Sequence, residues 1–213
     1  LLLSLPLALH AATWTVQPGA SIQAAIDRAA AGDTVQVQRG RYVENLKIAK
    51  PLVLRGIDRP TVSGGEQGDL IVRDSGASLL EQNAGIYVTP GSHRTTVRRC
   101  DLVYNLFGLW IQKADDVTVQ GNLIVGKRDF NSAQRGNGVQ LYDTTGARII
   151  GNNISFVRDA LYVDVSHRAV FRGNKLHHSR YGAHYMSSYY NLWEGNETYY
   201  NRGGLALMEV REQ

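Results

Sequence analysis

Cysteine is all but missing from this chain, and Cys100 stands alone among 213 residues. A single thiol builds no intrachain disulfide framework, so stability has to come from packing and hydrogen bonds. Proline is scarce too, with 5 residues against 22 glycines, which suits many short strands joined by tight turns. Charge of one sign does not dominate either, since the formal net charge is only +4. That balance permits an acidic partner. With no basic helix and no interleaved aromatic–basic motif, it gives no reason to expect a nucleic acid. A hydrophobic content of 43% excludes a disordered chain.

The first twelve residues, Leu1 to Ala12 (LLLSLPLALHAA), are apolar but too short to span a bilayer. They read as the apolar region and small-residue end of a secretory signal whose start is missing, with cleavage near Ala11 or Ala12. An ordinary strand or buried tail is the other reading. The signal reading predicts export and leaves residues 13–213 for the fold. The chain also stops inside its own repeat, at Glu209 to Gln213, so a C-terminally truncated piece is expected.

What is present is a repeat. Gly-Asn occurs at Gly121-Asn122, Gly151-Asn152, Gly173-Asn174 and Gly195-Asn196, the last two intervals being 22 residues and the first 30. A second landmark follows each: Gly138, Ala160, Gly182 and Gly204. An earlier copy has Gly108, with Cys100 at the asparagine position, and a looser one starts at Gly85. The long interval is 22 plus an eight-residue insertion near Lys127 to Gln134. A period of this size holding two or three short strands is one coil of a solenoid. The predicted fold is therefore all-β, a right-handed parallel β-helix with regular coils from about residue 85.

Coils stack about 4.7–4.9 Å apart, so equivalent residues form columns. Four are apolar and predicted to face inward: Val97, Val119, Ile149, Phe171, Trp193; Leu102, Ile124, Ile154, Leu176, Thr198; Leu109, Val139, Leu161, Ala183, Leu205; and Ile111, Leu141, Val163, Tyr185, Leu207. The apolar alternation has period two, which excludes a helical or transmembrane reading. Stacked asparagines are expected to form a hydrogen-bonded ladder. The glycine before each suits a bend that a Cβ would crowd, and Cys100 replaces an asparagine as a small buried residue. Ser21 to Ala30 reads as a short amphipathic helix with Ser21 as N-cap, in a cap spanning about residues 20–31. It is expected to cover the open end of the solenoid, whose unpaired edge would invite aggregation. Short strands follow at Thr34–Val37, Tyr42–Ile48 and Leu52–Gly56.

Function on such a fold belongs to the outward columns. These read Trp110, Gln140, Tyr162, His184, Ala206 and Gln112, Tyr142, Asp164, Met186, Met208. The chain's two methionines thus fall on adjacent coils, with His184 two residues before Met186. Two thioethers and an imidazole suit a soft cation such as Cu(I), and suit Zn²⁺ or Mg²⁺ poorly. Gap-filling under another segment is the plainer role for such methionines. His178 falls in a column with Tyr104, Phe156 and Tyr200, which points to stacking, and His177 has no obvious partner. His93 and His167 fall in predicted turns. Arg158, Arg180 and Arg202 form a third column. At coil spacing they repel one another and need carboxylates, with Asp159 at hand, or an anionic partner. They read either as a neutralised turn or as a docking strip for an acidic protein or sugar.

Three stretches together resemble a known family: Arg180 to Met186 (RYGAHYM), Glu194 to Thr198 (EGNET) and Gly204 to Met208 (GLALM). The opening Ser21 to Gly56 stretch and Arg135 to Leu141 also fit, although that opening is shared with many sugar-acting solenoids. The family is NosD, the periplasmic β-helix accessory proteins of nitrous-oxide reductase maturation. The resemblance implies a periplasmic, non-enzymatic copper-handling protein, membrane-associated only through its partners. Those partners are an ABC-type ATPase with its membrane subunits, a copper-chaperone lipoprotein and nitrous-oxide reductase. It also implies His184, Met186 and Met208 as Cu(I) contacts. NosD proteins are longer, with further coils and a membrane-proximal C-terminal part. A polysaccharide lyase, hydrolase or epimerase on the same fold is the alternative. It needs converging carboxylates, and Asp143 and Asp164 are the nearest candidates without forming an evident pair.

Overall fold

The computed structural model describes residues 11–63, 79 and 83–209. Most of the expected signal region, residues 1–10, lies outside them, as do residues 210–213.

The chain is a parallel β-solenoid in which every strand pair is parallel. Each coil contributes one strand to each of three sheets, of eight, seven and seven strands. The first sheet runs from Thr13–Val16 through Thr34–Val37 to Leu192–Glu194. The second runs from Arg41–Val43 to Glu197–Tyr199, and the third from Leu46–Ile48 to Gly203–Met208. The same plan therefore begins near Thr34, well before the regular repeat seen in the sequence. The stretch expected as one strand over Tyr42–Ile48 is two, Arg41–Val43 and Leu46–Ile48, which belong to different sheets. A corner at Glu44 and Asn45 separates them.

The columns are in register as the spacing predicts. Val119 pairs with Val97 and Ile149, Ile124 with Leu102 and Ile154, and Leu161 with Val139 and Ala183. These side chains are buried in one continuous core. At the last described coil, where no further described strand covers them, Leu205 and Leu207 are about half exposed. Asn122, Asn152, Asn174 and Asn196 form the expected ladder. Each amide nitrogen donates to the next residue's Oδ1, at 3.0, 3.0 and 2.8 Å. That same Oδ1 accepts the preceding asparagine's backbone N–H. Cys100 sits at the head of the ladder, its N–H bonded to Asn122 Oδ1. Burial pushes its thiol up to about 12, so it is inert packing.

One expectation about the Gly-Asn turns is corrected. Nothing lies within 4 Å of a Cβ built on Gly121, Gly151, Gly173 or Gly195. These glycines serve because φ is +60° to +63° there, a region costing a Cβ-bearing residue about 1–2 kcal/mol. Crowding acts instead at the second landmark, where a Cβ on Gly182 would lie 2.7 Å from the Gly204 carbonyl.

The helix Ile22–Arg28 forms as predicted, with Ser21 Oγ accepting from the Ala24 N–H. Glu44 completes the N-terminus by accepting from the Ile22 and Gln23 N–H groups. Ile22 and Ile26 face the core. Asp33 ties the cap together, accepting from the Ala12 and Ala30 N–H groups and from Trp14 Nε1. Those three donors hold its carboxyl below the usual carboxylate range.

Candidate functional site

The outer face of the third sheet carries both predicted outward columns. Backbone pairing aligns Tyr162 with His184 and His184 with Ala206, and it aligns Asp164 with Met186 and Met186 with Met208. The two methionines are therefore direct neighbours across one inter-coil ladder. Met208 is about half exposed on the last described coil, and Met186 is half-buried.

His184 points outward and is nonetheless buried, at 8% exposure. Three aromatic and charged neighbours roof it. Tyr162 and Tyr181 meet its ring edge-on at 4.9 and 5.7 Å, and Arg180 lies beside Nδ1 at 3.4 Å. The decisive contact is 3.2 Å from Nδ1 to Asp159 Oδ2. Asp159 opens the strand Asp159–Asp164 and is fully buried, so its charge needs partners. Arg180 supplies a two-pronged ion pair, Nε to Oδ1 at 2.9 Å and Nη2 to Oδ2 at 2.6 Å. This pairing raises the Arg180 pKa still further. In the tautomer with its proton on Nδ1, His184 donates a hydrogen bond to the Asp159 carboxylate. The remaining nitrogen, Nε2, then bears a lone pair, and it is buried without a hydrogen-bond partner.

Tyr162 links this histidine to the sulfur. Its ring packs on His184, and its hydroxyl donates to Met186 Sδ at 2.7 Å. A thioether has two lone pairs, so the contact orients Met186 and leaves one pair free. His184, Met186 and Met208 are thus brought to one region, with Tyr162 touching the first two.

The arginine column divides. Arg158 and Arg180 line a groove of about 500 Å³ beside His184, whereas Arg202 lines a separate concavity with Tyr200 and Asn201. Arg180 is committed to Asp159, the carboxylate that the sequence offered for neutralising this column. The groove is also lined by Trp110, Gln140, Tyr142 and Asp164, and burial raises the Asp164 carboxyl above its usual value. Asp143 lies apart, facing Lys113 at 3.8 Å. Sequence reasoning missed the orienting role of Asp159, which stands at a strand start where the in–out alternation does not yet hold. It also missed partners for His177: Nε2 lies 2.8 Å from Asn153 Oδ1, and the ring stacks on Tyr199. The predicted stack of His178 on Phe156 and Tyr200 is present. His167 stacks on Tyr189, and Nδ1 of His93 accepts from the Asp115 N–H.

Residues 121–213 match the family model described as periplasmic copper-binding protein (NosD). A protein of Pseudomonas aeruginosa named probable ABC transporter binding protein NosD is 33% identical over 133 residues, covering 56% of this chain and 31% of its own length. A protein of the same name from Stutzerimonas stutzeri is 30% identical, with 56% and 30% covered. The chain thus spans about a third of these relatives. Among solved structures, the pectate lyase Pel9A aligns with a TM-score of 0.64 at 12% identity, over 84% of this chain and 54% of its own. That similarity shows the fold alone.

Proposed function

We propose that this chain, whose residues 121–213 match the NosD family model, is a non-enzymatic periplasmic copper-handling protein that presents Cu(I) at His184, Met186 and Met208. The observation that carries this reading is the state of His184. A buried imidazole whose Nδ1–H is fixed by a carboxylate, with Nε2 left unpartnered, is the usual arrangement of a metal-binding histidine. A buried Nε2 without a hydrogen-bond partner costs free energy that a bound cation would recover. The neighbouring donors are thioethers, so the cation favoured is soft and monovalent. Asp159 and Arg180 act as positioning residues, one orienting the imidazole and the other compensating the buried charge.

Copper here is cargo. It arrives from a chaperone lipoprotein and leaves for nitrous-oxide reductase, while an ABC-type ATPase and its membrane subunits work alongside. The relatives' name, ABC transporter binding protein, supports that last association. Arg158 and the partly exposed edge of Arg180 in the groove, with Arg202 in the neighbouring concavity, are the proposed docking positions for an acidic partner surface.

Cu(I) titration against a competing chelator tests the site. The wild-type chain should bind one equivalent, and H184A/M186A/M208A should lose it. D159N should weaken binding by about 10- to 100-fold, as loss of an orienting partner does elsewhere. Unchanged affinity in the triple variant would overturn the assignment.

One observation favours a second reading, an enzyme acting on an acidic sugar polymer. The groove beside His184 combines the aromatic faces of Trp110, Tyr142 and Tyr162 with Arg158 and a carboxyl of raised pKa. Such chemistry needs a second acid or base converging on Asp164. Among the described residues lining the groove Asp164 is the single carboxylate, and Asp159 behind it is spent on Arg180 and His184. Turnover of an acidic polysaccharide by the chain would reverse the ranking.

A further inference from the structure

We propose a second metal site, for a divalent ion of tetragonal geometry such as Cu(II), at the neighbouring side chains of His177 and His178. It is independent of the Cu(I) reading, lying on the second sheet and its following corner and using nitrogen donors alone.

Successive residues of a strand point to opposite faces, so adjacent histidines ordinarily diverge. Here they converge. His177 ends the strand Lys175–His177, and His178 takes φ of +54° at the corner, swinging its side chain back toward its neighbour. The two Nδ1 atoms come within 2.7 Å, with the rings inclined at 77°. An N–H of one ring donating to the other ring's lone pair fits this distance, and a metal held by both lone pairs would take that proton's place.

Two features prepare the pair for the metal. His177 Nε2 lies 2.8 Å from Asn153 Oδ1 on the preceding coil, and an Nε2–H donated to that oxygen leaves the Nδ1 lone pair facing His178. This is the outer-shell hydrogen bond typical of a metal-binding histidine. Both rings are also clamped: His177 is stacked on Tyr199 at 4.7 Å and 8°, and His178 lies between Phe156 at 4.9 Å and Tyr200 at 5.1 Å. A chelate assembled on held rings loses little rotamer entropy on binding.

Geometry selects the ion. At a metal–nitrogen distance of about 2.0 Å, nitrogens 2.7 Å apart subtend about 85° at the metal. A tetrahedral zinc site would hold them about 3.3 Å apart. Near-right angles belong to tetragonal complexes, for which imidazole nitrogen favours Cu(II) and Ni(II), with Cu(II) bound more tightly. His178 borders the concavity of about 480 Å³ that also contains Tyr200, Asn201 and Arg202, so water can reach the remaining positions.

The test is titration of the full chain with Cu(II), followed by calorimetry and electron paramagnetic resonance. The wild type should bind one equivalent with a tetragonal spectrum split by two imidazole nitrogens. H177N and H178N, checked by circular dichroism for an intact fold, should each bind at least about tenfold more weakly and lose the two-nitrogen splitting, and N153A should weaken binding about tenfold. H184A/M186A/M208A should leave the Cu(II) signal untouched, which separates failure here from failure of the Cu(I) site. A spectrum without nitrogen splitting, or one retained unchanged in H177N and H178N, would overturn the proposal.

Discussion

His177 is half-buried between Tyr199 and the ring of His178, and its surroundings disfavour a second positive charge. Its pKa in the folded chain therefore falls below the unfolded value of about 6.5. As pH drops through that value the unfolded chain takes up a proton before the folded one does. The stabilising contribution is full above about pH 6.5, declines as pH falls through the folded value, and is constant below it. Urea midpoints measured from pH 7.5 to pH 5 should fall for the wild type, and the fall should be shallower in H177N. Equal slopes would mean that the stack does not perturb the histidine. This behaviour is hidden in the sequence, because His-His reads as two opposed side chains until the left-handed corner at His178 is known. His184 was more legible: alternation placed it outward beside Met186, and the structure keeps it there. The carboxylate proposed to orient it was not legible, since Asp159 reaches it from the start of the preceding coil's strand.

At the scale of elements, the asparagine ladder does for the corners what backbone pairing does for the strands. Asn152 Nδ2 donates to the Val119 carbonyl and to Asn174 Oδ1, while its own Oδ1 accepts from Asn122 through both backbone and side chain. All of this is buried. N152A would strand several polar groups at once, at a cost of about 1–3 kcal/mol for each one left unsatisfied. We expect a loss of about 3 kcal/mol in total, with the thermal midpoint falling by about 2–4 °C per kcal/mol. A loss within 0.5 kcal/mol, the scale of surface substitutions, would show that water repairs the gap. The 22-residue interval made this ladder readable in advance, because each asparagine repeats with its glycine. The earliest coils were less readable. They lack Gly-Asn, and Arg99 with φ of +58° already takes the glycine's place before Cys100. Their strands still join the same sheets.

For the whole molecule, the cap matters most. Ile22 and Ile26 close the core where the first coil would otherwise present apolar side chains and unpaired strand edges to water. Replacing both with aspartate would bury charge or expel the helix. The expected outcome is a lower unfolding temperature and association that grows with concentration, seen by light scattering. A monomeric chain of unchanged stability would assign the closing role to Asp33 and Trp14 instead. The one-dimensional stacking has a further consequence, for the order of events as the chain forms. Strand pairing joins each coil only to the one before and the one after, so a new coil's strands need a finished predecessor and nothing more distant. The helix-closed end can therefore act as a seed on which coils are laid down one at a time. The proposed copper-binding residues, supplied by the sixth and seventh coils, would come together only after the groove beneath them is complete.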